Sequence, residues 1–193
     1  MWAAQDGHEQ VARVLLEAGA VVDTPGPQGW TALMFASSNG HEQVALILLK
    51  AKADPNKARS DGWTALMFAA QNGHEQVALE LLKAGASLKV VSINNFTMLM
   101  EASLGGLTMV LERVLPQSDI DATVVASHGT EAGYTALMYA AKAGQQHCVH
   151  ITSTCCSALA RARKCRPPRA RPRFRSLMIV ATVTVICDLL GSL

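Results

Sequence analysis

The chain alternates short apolar blocks with polar turn residues. Six consecutive apolar positions follow the turn at Gly40: Val44, Ala45, Leu46, Ile47, Leu48 and Leu49. Such a block is wider than the apolar stripe of a surface helix and predicts a helix that is covered on two sides. Upstream, Thr31 stands where its hydroxyl can cap a helix beginning at Ala32, and Asn39-Gly40 is a typical helix stop. The pattern therefore predicts a short helix, a turn and a longer helix that is opened by His41.

The same pattern recurs along the chain. The segment GWTALMFASSNGHEQVALILLK begins at Gly29, and GWTALMFAAQNGHEQVALELLK begins at Gly62. Steps of 33, 33, 33 and 38 residues separate the turn glycines Gly7, Gly40, Gly73, Gly106 and Gly144. One helix pair cannot cover its own apolar faces, so neighbouring copies must stack on it. The recurrence predicts that the period in sequence becomes a translation in space.

The repeated segment resembles a known family. Its motif is TALM at Thr31, Thr64 and Thr135 and TMLM at Thr97, and it is similar to the T-P-L-H motif of the ankyrin repeat. The resemblance extends over roughly residues 1–149. It implies an all-α solenoid of stacked helix-turn-helix units with hairpin-like loops. About five repeats are expected within a domain of residues 1–150, with the first and the last incomplete.

Three departures from the family pattern bear on stability. Methionine replaces the motif's histidine, and we expect these side chains to pack as apolar groups; they are Met34, Met67, Met100 and Met138. Lys52 occupies the slot that Gly19 and Gly85 fill. A side chain at positive φ there costs on the order of 1 kcal/mol. The fourth copy has Asn95 in place of the turn glycine and an insertion within residues 117–131.

The resemblance implies binding of a protein partner through the hairpin tips and the concave face formed by the short first helices. The slot after the turn residue is aromatic in each full copy: Trp30, Trp63, Phe96 and Tyr134. Aromatic side chains often dominate interface energies, so this column is a candidate binding ladder. The alternative is that each ring packs on the next hairpin and closes the stack. Variable positions before the loop glycine are further candidate contacts: Ser38, Asn39, Gln71, Asn72 and Lys142.

A second aromatic column lies within the first helices. It comprises Trp2, Phe35, Phe68 and Tyr139, and Glu101 interrupts it. These residues precede a small alanine and point partly inward. We therefore predict core packing for this column.

The recurring histidines, His8, His41 and His74, invite interpretation as metal ligands. With one per copy they would lie about 10 Å apart, whereas zinc needs nitrogens about 2 Å from a common centre. The sequence contains no phosphate-binding loop, no HExxH and no Ser/His/Asp set that the repeat pattern fails to explain. It therefore predicts a non-catalytic scaffold without metal or cofactor.

Charge and cysteine usage change near His150. Residues 1–150 carry nine Lys and Arg against 14 Asp and Glu, and residues 151–193 carry eight against one. All five cysteines lie at or beyond Cys148, without CxxC spacing, and the N-terminus lacks the long apolar core of a signal peptide. A reducing, intracellular setting such as the cytoplasm is expected. Residues 151–193 form a separate tail that is basic and then apolar, and we expect it to be disordered or membrane-associated.

Three interpretations of the tail compete. The repeat loses its apolar register around Ile151, which favours an alternative C-terminus, as in a truncated isoform. The basic residues followed by the apolar run Leu177–Leu193 also fit a membrane anchor, although 17 residues is the lower limit for a span and Asp188 opposes it. A nucleic-acid-binding patch is disfavoured because Phe174 is the only aromatic residue among the arginines.

The sequence thus favours a protein-binding adaptor that binds through its hairpin tips and concave face. A membrane-anchored ankyrin-repeat adaptor, held by Leu177–Leu193, is the alternative. Self-association is also expected, because a stack without polar end copies exposes apolar surface.

Overall fold

The computed structural model describes residues 1–114 and 135–153. Helices occur there in pairs, one pair in each copy. The first helices are α1 (Trp2–Gln5), α3 (Ala32–Ser38), α5 (Ala65–Gln71), α7 (Met98–Gly105) and α9 (Ala136–Lys142). The second helices are α2 (Glu9–Glu17), α4 (Glu42–Lys50), α6 (Glu75–Lys83), α8 (Thr108–Val114) and α10, whose described part is residues 146–153.

Each first helix begins where the sequence predicts. The hydroxyl oxygens of Thr31, Thr64 and Thr97 accept hydrogen bonds from backbone N–H groups three residues later, at 3.3, 3.5 and 3.3 Å. These bonds satisfy donors that have no partner within the helix. Thr135 precedes α9 without such a bond. In the first three copies the second helix begins at the glutamate after the histidine, so His41 is the N-cap residue of α4 and not its first helical residue.

The copies stack side by side. Along the chain each first helix contacts the next, from α1 to α9, and each second helix contacts the next, from α2 to α8. Within a copy the two helices also contact each other in the first four pairs. The described residues contain no strand, and their extended pairing is limited to two isolated bridges, Ala58 with Thr64 and Val91 with Thr97. The predicted all-α stack of helix pairs is confirmed.

The core follows the repeated motif. Leu33 and Met34 of α3, and their equivalents in α5 and α7, are at most 2% exposed. Met138 in α9 is half-buried. The expectation that these methionines pack as apolar side chains is therefore confirmed for Met34, Met67 and Met100, and a thioether needs no hydrogen-bond partner there.

Histidine links successive copies through hydrogen bonds. The Nε2 atom of His41 lies 2.9 Å from the carbonyl oxygen of Gln5, and that of His74 lies 3.1 Å from the carbonyl oxygen of Ser38. The His74 ring lies so close to Gly40 that a Cβ there would be 2.6 Å from it. The turn glycine is thus required both by its φ of 74° and by the ring of the next copy.

Two departures from the family pattern adopt the left-handed conformation. Lys52 has a φ of 68° in the slot where Gly19 and Gly85 have 84° and 89°. Asn95 has a φ of 63° in the turn slot where Gly29 and Gly62 have 84° and 85°. Gln28 also adopts positive φ, at 58°. The repeat pattern does not predict this conformation. Asparagine tolerates this region better than lysine, so Lys52 carries the larger penalty.

Internal contacts divide the chain into Met1–Thr152 and Ser153–Leu193. The basic and apolar parts of the tail lie outside the described residues, as do Tyr134 and the insertion before it. Among the helices that are described, none is long and apolar enough to cross a membrane.

Candidate interaction surface

The hairpin before each first helix places an aromatic ring at the same point of every described full copy. A backbone N–H from the start of the turn donates to the carbonyl oxygen of Trp30, Trp63 or Phe96, at 2.7, 2.8 and 3.0 Å. The preceding residue has positive φ, which turns the chain back toward the helix. The threonine that follows caps the helix. Local turn chemistry therefore fixes where these three rings emerge.

The hairpin rings contact rings from the first helices. Trp30 stacks between Phe35 and Phe68, with centroid distances of 4.6 and 4.5 Å. Trp63 contacts Phe68 at 5.1 Å and Phe96 at 6.4 Å, and Phe96 contacts Tyr139 at 5.8 Å. We name these six residues the aromatic row: Trp30, Phe35, Trp63, Phe68, Phe96 and Tyr139. The two predicted columns thus form one continuous row, and each contact contributes about 0.5–1.5 kcal/mol beyond area burial.

The members of the row differ in exposure. Phe68 and Tyr139 are buried, as predicted for the helix column, whereas Phe35 and the three hairpin rings are half-buried. Each half-buried ring therefore uses part of its surface to join two copies and leaves part open. The prediction was wrong for Trp2, which is 77% exposed.

Glu101 stands where the neighbouring copies have Phe68 and Tyr139, and it is 1% exposed. The contact between Trp63 and Phe96, at 6.4 Å, is the longest in the row and joins this copy to the preceding one. A carboxylate chain in place of a ring thus loosens the row without ending it.

Arg59 covers the row and was not identified from the sequence. Its guanidinium carbon lies 5.2 Å from the centre of the Trp30 ring and 5.4 Å from that of Phe68. Its Nε donates to Oδ1 of Asp61 at 3.0 Å, and a second N–H donates to Oδ2 of the same carboxylate. Asp61 thus orients the cation over two rings, an arrangement that favours cation–π attraction.

The ion pair shifts the pKa values of both partners. Hydrogen bonding from Arg59, and more weakly from the Trp63 N–H, holds the pKa of Asp61 below its usual range, while burial opposes the shift. Hydrogen bonding to Asp61 raises the pKa of Arg59. Both side chains remain charged at neutral pH. The sequence gives only a weak indication of this ion pair, because the Arg-x-Asp pattern occurs in one hairpin and is not part of the repeat.

The polar candidate contacts lie at the other end of the first helices. Asn39, Gln71, Asn72 and Lys142 are exposed, and Ser38 is half-buried. Helix α3 has seven residues between Thr31 and Asn39, which separates them by roughly 10 Å from Trp30. These positions therefore lie away from the hairpin rings. The structure places the predicted site as two parallel strips along one row of helices.

Two of the polar candidates also bind the neighbouring copy. The Nδ2 atom of Asn39 donates to the carbonyl oxygen of Gln5 at 2.9 Å. That of Asn72 donates to the carbonyl oxygen and the hydroxyl of Ser38, at 3.0 and 3.2 Å. These amides therefore support the stack as well as lying at its exposed surface.

The geometry offers an extended surface for contact. Within residues 1–114 and 135–153, no three His, Cys, Asp or Glu side chains come together in a way that could hold a metal ion. The two central histidines bond to backbone carbonyl groups of the preceding copy. An extended row of half-buried rings with one oriented cation suits recognition of a polypeptide surface.

Comparison with protein families identifies the repeat. A family model described as ankyrin repeats, in three copies, matches residues 1–59 and again residues 46–126. A comparison with curated proteins found no match.

Proposed function

The chain belongs to the ankyrin-repeat family, and we propose that it is a non-catalytic scaffold that binds a protein partner along its row of first helices. Ankyrin repeats generally mediate protein–protein interaction. The finer assignment of this surface rests mainly on one observation, the continuity of the aromatic row across four copies while four of its rings stay half-exposed.

The row combines rigidity with accessible apolar area. Each ring is held by its neighbours at 4.5–6.4 Å, so little side-chain entropy is lost when a partner covers it. Arg59 adds donors that are oriented by Asp61. Gln71 and Lys142 supply polar groups along the opposite strip. This combination favours a partner segment that carries apolar side chains and at least one carboxylate.

Site-specific photo-crosslinking tests the assignment. The chain offers a matched pair of exposed glutamines in one copy, Gln71 at the end of α5 and Gln76 near the start of α6. With benzoylphenylalanine at either position in the full chain in cells, we expect protein adducts from Gln71 and few from Gln76. Adducts from Gln76 alone, or equal adducts from both, would contradict the proposal.

Arg59→Ala, introduced together with the crosslinker at Gln71, tests the role of the aromatic row. Loss of a binding hot spot costs about 2 kcal/mol or more, so the Gln71 adduct is expected to weaken strongly. An unchanged adduct would restrict the partner to the polar strip.

A membrane-anchored form of the same adaptor is the second candidate. It is motivated by the apolar run Leu177–Leu193 after eight basic residues. Carbonate extraction of the full chain and of a chain ended after Ser176 separates the two. Pelleting that the deletion abolishes would support the anchor, and extraction of the full chain into the supernatant would contradict it. An intracellular location is part of both proposals.

A further inference from the structure

Two turns of the stack contain the dipeptide Asn-Gly, at Asn39-Gly40 and Asn72-Gly73. Their backbones are nearly the same. The asparagines have φ of −100° and −89° with ψ of 1° and 5°, and the glycines have φ of 74° and 76°. Both asparagines are exposed. The two turns therefore form a matched pair, in which the effect of hydrogen bonding can be compared at constant backbone conformation.

The backbone N–H of the glycine is hydrogen-bonded in one turn and open in the other. The Gly73 N–H donates to the carbonyl oxygen of Ala70 at 3.2 Å, whereas the Gly40 N–H has no acceptor among the described residues. A backbone N–H that is already bonded must break that bond before its nitrogen can react. The Gly40 nitrogen is therefore the more available of the two.

The side-chain amides differ in the same direction. The Nδ2 atom of Asn39 donates one hydrogen bond, to the carbonyl oxygen of Gln5 at 2.9 Å. That of Asn72 donates to both the carbonyl oxygen and the hydroxyl of Ser38, at 3.0 and 3.2 Å. Asn39 is thus held by fewer bonds than its equivalent in the next copy.

We propose that Asn39 is a site of spontaneous deamidation, which Asn72 resists. The Gly40 nitrogen loses its proton to solvent base and bonds to Cγ of Asn39, and the Cγ–Nδ2 bond breaks as ammonia takes up a proton and leaves. Water then opens the cyclic imide at either of its carbonyl groups, which gives aspartate or isoaspartate at position 39. Glycine favours this ring closure because it has no Cβ to hinder its nitrogen.

The modification loosens the joint between the first two copies. It removes the Nδ2 donor and sets a carboxylate oxygen against the carbonyl oxygen of Gln5, so that two acceptors face each other. Isoaspartate also adds one backbone carbon between α3 and α4. His41, whose Nε2 lies 2.9 Å from the same carbonyl oxygen, is then left to hold Gln5. Helix α1 is therefore held less firmly against α3 as the protein ages.

Peptide mapping of the full 193-residue chain by mass spectrometry, during incubation at mildly alkaline pH, tests the proposal. Trypsin places the two asparagines on separate peptides, 14–50 and 60–83, each with a single asparagine. We expect Asn39 to convert about fivefold faster than Asn72, because the Gly73 N–H must first lose a hydrogen bond. In urea the two rates are expected to become similar, because both turns read Asn-Gly-His.

Three outcomes of this experiment would overturn the proposal. They are an Asn39 that stays unconverted, an Asn72 that converts as fast or faster in the folded chain, and a difference between the two rates that persists unchanged in urea. The urea arm separates an effect of the fold from an effect of the neighbouring sequence.

Hydrogen exchange tests the consequence for the stack. Asn39→Asp reproduces the charge of the product, and amide exchange in α1 is expected to rise about fivefold, because one hydrogen bond to this helix is lost. Asn72→Asp makes the same change one copy further along and is expected to leave α1 unaltered. Exchange in α1 that ignores Asn39→Asp, or that responds equally to both variants, would contradict the loosening of this joint.

Discussion

The first and second copies contain the same six residues, GHEQVA, in different surroundings. Val11 of the first copy is 49% exposed, and Val44 of the second is 1% exposed. Local structure is the same in both, since α2 and α4 each begin at the glutamate and run for nine residues. The local sequence therefore determines where the helix forms, and the position of the copy in the stack determines how far its side chains are buried. A residue's contribution to stability therefore depends on which copy carries it.

The largest expected effect concerns equivalent leucines in the first two copies. Leu48→Ala removes a side chain that is 4% exposed, whereas Leu15→Ala changes an equivalent that is 47% exposed. We expect a loss of about 3 kcal/mol at Leu48 and less than about 1 kcal/mol at Leu15. Urea unfolding below the association range measures both. Equal losses would mean that the end copy is as well covered as the centre.

Two tryptophans give a second comparison between a central copy and the first copy. Trp63 contacts Phe68 and Phe96 in the row, while Trp2 of the end copy is 77% exposed. Trp63→Ala is expected to lower the free energy of unfolding by about 2 kcal/mol and Trp2→Ala by close to zero. If Trp63→Ala leaves the thermal midpoint unchanged, the ring serves binding alone and its contacts add nothing to the stack.

Lys52 and Gly85 are different residues at the same left-handed position of two central copies. Its φ of 68° matches the slot of Gly85, which has 89° and open space around its Cβ position. Lys52→Gly is expected to stabilise the chain by about 1 kcal/mol, and Gly85→Lys to destabilise it by a similar amount. Chemical denaturation measures both; a loss of stability in Lys52→Gly would show that the side chain contributes more than the strain costs.

The smallest expected effect concerns pH. Because its pKa is lowered on folding, Asp61 adds stability above the unfolded-state pKa of about 3.9, and that stability is lost as pH falls through the lower folded-state pKa. Asp61→Asn should therefore cost less than about 1 kcal/mol at neutral pH and nothing in strong acid. Asp6→Asn in the end copy is the control. A difference that grew on acidification would contradict the sign.

Recurrence in the sequence predicted the features that most copies share. The threonine caps, the positive φ at the turn glycines and the buried methionines follow from chemistry that is repeated at each step. The exposure of Trp2 could not be read in the same way, because a pattern of equivalent positions treats the end copy like the others. Arg59 and Asp61 were missed because they occur in one hairpin only.

The sequence analysis named Trp30, Trp63 and Phe96 as candidate contacts but did not predict how the rings are arranged. Trp30 and Ser38 are close in sequence number, yet the intervening helix places them at its two ends. The merging of two aromatic columns depends on the offset between neighbouring copies, which a single repeat does not contain. The candidate partner contacts, Tyr134 among them, stay predictions.

Distances between equivalent positions test the central claim, that the sequence period is a physical stack, most directly. Gln10, Gln43 and Gln76 are exposed and occupy the same place in three successive copies. With spin-labelled amino acids at pairs of these sites, electron paramagnetic resonance should give about 10 Å for both neighbouring pairs and about 20 Å for Gln10 with Gln76. Unequal neighbouring distances, or a separation between Gln10 and Gln76 no larger than that of neighbours, would contradict the stack.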